Sequence, residues 1–426
     1  MEFGRRPLLA AAVSALALAF GAGDALAQQR TELRIFVGGQ QRPEVWERIV
    51  SAYEQRNPNI DVVIEVGGAT SEAQQQYLST VLTSRDPALD LILIDVVRPA
   101  QYAAAGWAEP LDGYFRPGEK EQVLSRVLPA YAEANQVDGK LYALPSFADA
   151  LFLYYRTDLF EKYGLQPPKT WEEARAAARR IQQGENNPNL QGISFQGAPI
   201  EGTVCTFLVP FWGAGGQLTD GSGNVAVDNQ AGRRSMQLWT GLKNDGIAKA
   251  SVAEVRTDDT RLEFQAGNVA MAVLWAYGWN HFQNTQGTQV AGKVGVVPLP
   301  AFEGGQPASC IGGWQWAMSA FSAKKQQAFD LLRYLTSEEA SKTMALAASN
   351  LPVYPSVYED AEVLAANPWF AQALPVVRTA RSRPVSANYA QVSDIIRTNM
   401  NAVLAGTKTA DEALSDMQGR LRRAIR

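Results

Sequence analysis

Between residues 32 and 95, three short apolar runs alternate with two helical stripes, and this alternation restricts the fold more than any other feature of the chain. Residues 32–37 (ELRIFV) read as a buried strand. Pro43–Arg56 carries Val45, Trp46, Ile49, Val50 and Tyr53 at helical spacing and stops at Asn57-Pro58. Residues 61–66 (DVVIEV) read as a second strand, a helix capped at Thr70 or Ser71 runs to Ser84, and residues 90–95 (DLILID) read as a third strand. A short helix over residues 98–105 closes the series. Strand–helix–strand order argues for a parallel sheet covered on both faces, with ligands binding beyond the carboxyl ends of the strands. The residues that follow those strands then matter: Gly38 to Gln41, Gly67 to Thr70, and Asp95.

The pattern then restarts. Residues 141–155 form a long strand-like stretch interrupted at Pro145, with Asp149 in its middle. A helix capped by Thr170 follows over residues 171–182, then a Gly-rich region over residues 197–223. Strands are expected at residues 268–275, 293–298 and 314–319, and helices at 329–335, 338–348, 392–404 and 411–426. At 426 residues the chain is long enough for two large αβ lobes, and the return of strand-like segments after residue 290 implies that it crosses between them more than once.

Residues 1–27 place an arginine pair, an Ala/Leu-rich run and Ala25-Leu26-Ala27 before Gln28, the layout of a cleaved secretory signal peptide. The run is shorter than the ~20 residues a spanning helix needs. No cysteine lies near the cleavage site, so a freely diffusing periplasmic protein is expected rather than a lipoprotein; Arg5-Arg6 leaves Sec and twin-arginine export both open. Net charge of -4 supplies no global basic field for nucleic acid or an anionic membrane. Cys205 and Cys310 stand 105 positions apart. Two separate buried thiols are the expectation, with a single disulfide as the alternative in an exported chain.

Catalytic hardware is sparse. One histidine, His281, and two cysteines leave too few ligands for most zinc sites, and His281 reads as structural. There is no phosphate-loop motif, no H-E-x-x-H and no G-x-S-x-G; Gly213-x-Gly215-Gly216 reads as loop glycine. No cofactor or metal is expected. The positive signal is aromatic: tryptophans stand beside glycines at Trp212-Gly213, Gly278-Trp279 and Gly312-Gly313-Trp314. Glycine lets backbone approach a ligand, and a flat indole packs on the C–H face of a pyranose while carboxylates and guanidiniums take its hydroxyls. Trp275 and Trp314 are read as ligand faces, most other tryptophans as core.

Residues 138–173 (DGKLYALPSFADALFLYYRTDLFEKYGLQPPKTWEE) resemble the signature segment of the extracellular solute-binding proteins, family 1, of sugar ABC importers. The likeness continues through residues 106–112 (GWAEPLD), 264–271 (FQAGNVAM), 295–300 (GVVPLP), Gly312-Gly313-Trp314, 351–354 (LPVY) and Arg383-Pro384. Val37-Gly38-Gly39, the E-G-x-V-C of residues 201–205 and Arg383-Pro384 bring it nearest the trehalose/maltose-binding branch.

The resemblance implies an α/β, two-lobe periplasmic-binding-protein fold of type II (maltose-binding-protein-like), with a hinge and a ligand cleft between lobes. It implies residues 28–146 with 305–350 as the N-terminal lobe, and 147–304 with 351–426 as the C-terminal lobe. The implied ligand is a disaccharide or α-glucoside such as trehalose or maltose, passed to transmembrane permease subunits by a monomer with no enzymatic activity. The family's binding positions fall on Asp95, Asp149, Thr70, Trp275, Trp314, Gly312, Gly313 and Arg383, with Gln41 and Phe147 at positions that depart from the pattern. Phe147 replaces an aromatic with a hydroxyl, and no acid stands among Gln40 to Pro43. Other readings stay open. Asp95 at a strand end equally suits capping the next helix, and Arg383 equally suits pairing with a carboxylate. The protein could bind a charged solute such as a sugar acid, to which Arg42 would contribute, or a polyamine. A secreted glycosidase using Asp95 and Asp149 as its acid/base pair is the third alternative.

Overall fold

The computed structural model describes residues 30–425, so the signal peptide expected over residues 1–27 lies outside the described residues. Eight strands form one continuous sheet: β1 (Thr31–Gly38), β2 (Ile60–Gly67), β3 (Leu91–Asp95), β4 (Ala143–Arg156), β5 (Gln191–Ser194), β6 (Val269–Trp275), β7 (Val294–Val297) and β8 (Ile311–Met318). Their order is β2-β1-β3-β8-β4-β6-β5, with β7 also on β4. The sheet as a whole is mixed, while the three opening strands run parallel as their alternation with helices implied. β1 runs parallel to β2 and β3, and β5 to β6, but β8 lies antiparallel between β3 and β4. Two parallel sets can share one sheet only if some strand returns between them, and β8, arriving late in the chain, does so.

Alternation along each strand separates two cores. On β1, Leu33, Ile35 and Val37 pack with Trp46 and Ile49 of α1 (Pro43–Arg56), while Phe36 packs on the opposite face with Leu78 and Leu82 of α2 (Ser71–Thr83). On β4, Leu151 and Leu153 enter one cluster and Phe152 and Tyr154 another. Each fully buried aliphatic or aromatic side chain contributes about 1.5–3 kcal/mol. Both faces of both halves of the sheet are therefore covered, which accounts for the near-continuous apolar runs in the sequence.

β4 does most of the joining. Over its 14 residues, the first part pairs with β8 beside β3, and the second part pairs with β6 and β7. Pro145 does not interrupt it. Trp314 of β8 pairs with Phe147 and Gln315 with Pro145, so Ser146 is the extra residue of a bulge that absorbs the missing proline donor. A bridge between Ala148 and Leu351 places a third stretch of chain beside these two strands.

The Gly-rich region hides a helix, α3 (Glu201–Gly213), whose residues from Glu201 to Trp212 are all buried. A helix apolar on every side carries no stripe for periodicity to find. Cys205 lies on α3 and Cys310 directly precedes β8; the two are disulfide-bonded with Cα atoms 5.9 Å apart, which corrects the expectation of separate thiols. The two residues are distant in sequence, but α3 packs under the start of β8, and only the fold brings them into bridging reach.

Candidate functional site

Where the two halves of the sheet meet, β3 and β6 end, β8 begins and the middle of β4 passes beside a cavity of about 350 Å³. All ten residues singled out from the sequence line it: Gln41, Thr70, Asp95, Phe147, Asp149, Trp275, Gly312, Gly313, Trp314 and Arg383. They arrive from seven separate stretches of chain.

The aromatic walls follow from the sheet. Trp314 sits in register with Asp95 on one side and Phe147 on the other, and Trp275 pairs with Leu151, two residues beyond Asp149. Gly312 lies against the Trp275 ring: a Cβ there would stand 2.6 Å from the indole and 3.2 Å from the Asp149 Cβ. Gly313 has φ +104°, a conformation that L side chains rarely adopt. Both glycines are thus required by geometry, and both indoles remain partly exposed to the cavity.

The acidic residues differ in how fully they are engaged. Asp95 Oδ2 accepts from Ser71 Oγ at 3.0 Å and Oδ1 from Arg383 Nη2 at 2.8 Å. Asp149 Oδ1 accepts from the backbone N–H groups of Ala150 and Ala276, both at 2.8 Å. Its Oδ2 takes no hydrogen bond among the described residues. Burial pushes the Asp149 carboxyl up to about 7, against those two N–H bonds; nearby Asp95 adds to the rise and Arg383 opposes it.

Arg383 is buried and takes the structural role open to it. Its Nη1 donates to Glu201 Oε1 at 2.7 Å, opposite its bond to Asp95. Glu201 also accepts from Tyr389 and from Ser393 Oγ at 2.6 Å. Burial alone would raise the Glu201 carboxyl, but Arg383 and Arg98 beside it, with the Ser393 and Tyr389 hydroxyls, hold it below its ordinary value. The same carboxylates keep Arg383 firmly protonated despite its burial.

Thr70 caps α2, accepting from the Ala73 N–H at 3.2 Å, while also lining the cavity. Gln41 is buried and accepts from Gln74 Nε2 at 3.0 Å. Sequence reading passed over Ser71, Glu72, Tyr277 and Asn350, which also line the cavity, along with Asp258 and Asp259 at the start of α4 (Thr257–Gln265). An acidic pair opening a helix was the available signal for the last two. Burial, then the charges of Arg261 and Arg42, pull the lining His281 down to about 4, so it is neutral at pH 7. Arg42 does not stand free: it pairs with Glu44 and donates to Asn280 Oδ1 at 2.9 Å.

Two contacts cross the cavity between loops and helices of the two halves. Gln40, beyond β1, donates to Asp258 Oδ2 at 2.6 Å, and Glu72 of α2 accepts from the Glu201 N–H. Such a site can enclose a small polar ligand between flat faces and hydrogen-bonding groups. Among the described residues, no helix is long and apolar enough to cross a membrane.

Comparison with known proteins adds four findings. A family profile of bacterial extracellular solute-binding proteins matches residues 39–342. A probable ABC transporter-binding protein of Deinococcus radiodurans is 36% identical over 364 residues, covering 83% of this chain and 84% of the relative. A mannitol-binding protein of Pseudomonas aeruginosa is 25% identical over 306 residues, 70% of this chain and 67% of the relative. Among solved structures, the maltose-bound MalE3 of T. maritima superposes with TM-score 0.86 at 31% identity, over 92% of this chain and 99% of that one. That superposition shows the two-lobe, maltose-binding-protein-like fold.

Proposed function

The chain belongs to the bacterial extracellular solute-binding proteins, and from that membership we propose that it captures one small glycan between its lobes and delivers it to a membrane permease. At the coarser level it is the solute-binding component of an ABC transporter for sugars or polyols. The finer reading, a disaccharide or α-glucoside such as trehalose or maltose, is supported by one observation above the rest. Trp275 and Trp314 enter a single cavity with Asp149 on the strand between theirs and Asp95 on the strand beyond Trp314, pairing flat apolar faces with hydroxyl acceptors. A volume of about 350 Å³ stands at the small end of small-molecule sites, suiting one or two rings rather than a long oligosaccharide.

The proposed division places residues 28–146 with 305–350 in one lobe and 147–304 with 351–426 in the other. Its support is that β4 changes partners just after residue 150 and that the Ala148–Leu351 bridge marks the third crossing. Ligand favours the closed arrangement because it contacts both sides, and closure is what the permease reads. The proposed setting is the periplasm, after cleavage of residues 1–27, as a monomer.

The test is calorimetry on protein unfolded and refolded to strip carried-over ligand, with trehalose, maltose, sucrose, glucose and mannitol, followed by chromatography of the mixtures. One-to-one binding of a disaccharide recovered whole supports the reading. Binding of mannitol alone would move the ligand to polyols, and cleaved sugar would replace capture by hydrolysis.

A further inference from the structure

The cavity is lined by six carboxylates, those of Glu72, Asp95, Asp149, Glu201, Asp258 and Asp259, against three guanidiniums, those of Arg42, Arg256 and Arg383. His281 adds no charge at pH 7. Most of this charge is spent inside the protein. Asp95 and Glu201 share Arg383, Asp258 pairs with Arg261 at 3.2 Å, and Glu72 pairs with Arg397 at 3.5 Å. Arg42 is held by Glu44, and Arg256 is exposed.

Two lining carboxylates have no cation within 4 Å among the described residues, Asp149 and Asp259. Asp259 has a use, since it closes the capping box of α4 by accepting from the Arg256 N–H at 2.8 Å. Asp149 is different. It stands mid-sheet beside Gly312 and the Trp275 ring, held on Oδ1 by two backbone N–H groups, and Oδ2 is left to the cavity. Enclosed charge of one sign, bounded by apolar walls, focuses its field on whatever occupies the space.

Resting on the carbohydrate reading above, we infer that the preferred ligand is a sugar bearing a protonated amine, its ammonium paired with Asp149 Oδ2 against the indole faces. A hydroxyl donating to the same oxygen gains a hydrogen bond; an ammonium gains a charge-assisted one and a cation–π contact. The same arrangement repels sugar acids, and it leaves Arg42, already paired, no part in drawing an anion.

The charged and titratable groups around Asp149 set the pH range in which this works. Asp95 faces it from β3 and Arg383 from the chain before the helix α5 (Tyr389–Ala405). Tyr131, Tyr154, Tyr277 and Tyr358, which complete the surroundings, are all pushed up by burial and stay neutral. Asp149 is thus the group that ionises near neutrality, and the preference for an amine rises with its ionisation.

Calorimetry at about pH 7 and about pH 5.5 compares glucose and trehalose with their 2-amino-2-deoxy and 6-amino-6-deoxy forms, and with glucuronate. The expected result is at least about tenfold tighter binding of one amine than of its hydroxyl parent, shrinking at the lower pH and at high salt, with no heat from glucuronate. Asp149→Asn is expected to weaken the amine at least about tenfold more than its hydroxyl parent, which erases the preference. Should that variant not fold, the pH and salt dependence of the wild-type preference decides. Parent sugars binding as tightly as every amine would overturn the inference and leave the carbohydrate reading intact. No binding by any sugar would remove the carbohydrate reading, and the inference with it.

Discussion

Arg383 bonds to Asp95 at 2.8 Å through Nη2, and through Nη1 the same guanidinium bonds to Glu201 at 2.7 Å. Asp95 ends β3 and Glu201 begins α3, so this one side chain joins the two sides of the cavity from a third stretch of chain. One N–H on each of these nitrogens is spent on a carboxylate, so Arg383 positions Asp95 while its remaining donors stay beside the cavity that it lines.

Replacing Arg383 by Met leaves two buried carboxylates facing each other. Breaking a buried pair in this way costs about 3–5 kcal/mol, to be read from urea unfolding of the refolded protein. The triple replacement Asp95→Asn, Glu201→Gln, Arg383→Met removes the charges together and is expected to recover much of that loss. A single variant as stable as wild type would show that the network is not formed in solution.

How much of this was legible in the sequence depends on the range of the interactions. Every residue assigned to the pocket from the chain alone lines one cavity; strand ends and the Gly312-Gly313-Trp314 run are local signals, whereas Gln41, Phe147, Asp149 and Arg383 were placed by the resemblance to the family. The Asp95–Arg383–Glu201 network was not legible as such: Arg383 and Glu201 are 182 positions apart, and pairing between them is decided by tertiary packing. The bulge at Ser146 was read only as an interruption at Pro145, since the partner strand that accommodates it comes more than 160 residues later. Helix α3 was missed for the opposite reason, its apolar residues facing every direction at once.

The bond between Cys205 and Cys310 closes a loop of 105 residues. By loop-closure entropy a cross-link of that span stabilises by about 4–5 kcal/mol. The double variant Cys205→Ala, Cys310→Ala is expected to lose an amount of this order in urea unfolding, and reductant to destabilise wild type but not the variant. Thiol titration of denatured, unreduced protein should find none free; two free thiols would mean that the bridge does not form.

Asp149 gives the ligand-free protein a pH dependence of definite sign. Its carboxyl is raised from 3.8 to about 7, so the folded state holds a proton that the unfolded chain has released. This contribution to stability is present in full below about 4 and is lost as pH rises through about 7. Glu201 acts the other way: held below 4.5, its contribution is present above that value and lost in acid. Between about pH 5 and pH 8 two groups act: Asp149 makes stability fall as pH rises, while His281, held at about 4 in the fold against 6.5 in the unfolded chain, makes it rise up to about pH 6.5, so the two largely offset in wild type and Asp149→Asn should show the rise alone. Parallel profiles for the two proteins would show that Asp149 titrates at an ordinary value.

The two glycines before Trp314 separate stability from recognition. At Gly313 the obstacle is backbone: φ is +104°, and a Cβ would run into the Phe147 carbonyl oxygen, so Gly313→Ala should cost stability above all. At Gly312 the obstacle is the Trp275 ring, 2.6 Å from the added carbon, and an indole packed in a sheet cannot swing aside as the end of a flexible chain can. Overpacking of this kind costs about 1–3 kcal/mol, and the ring shifts toward the cavity, into space a ligand needs. Gly312→Ala should therefore weaken sugar binding at least about tenfold and change tryptophan fluorescence on titration. Trp275→Ala removes the obstructing ring and the stacking face together. If Trp275 is the stacking face, the double variant Gly312→Ala, Trp275→Ala should bind no more weakly than Trp275→Ala alone. Equal affinity of Gly312→Ala and wild type would mean that the indole is not in contact with the sugar.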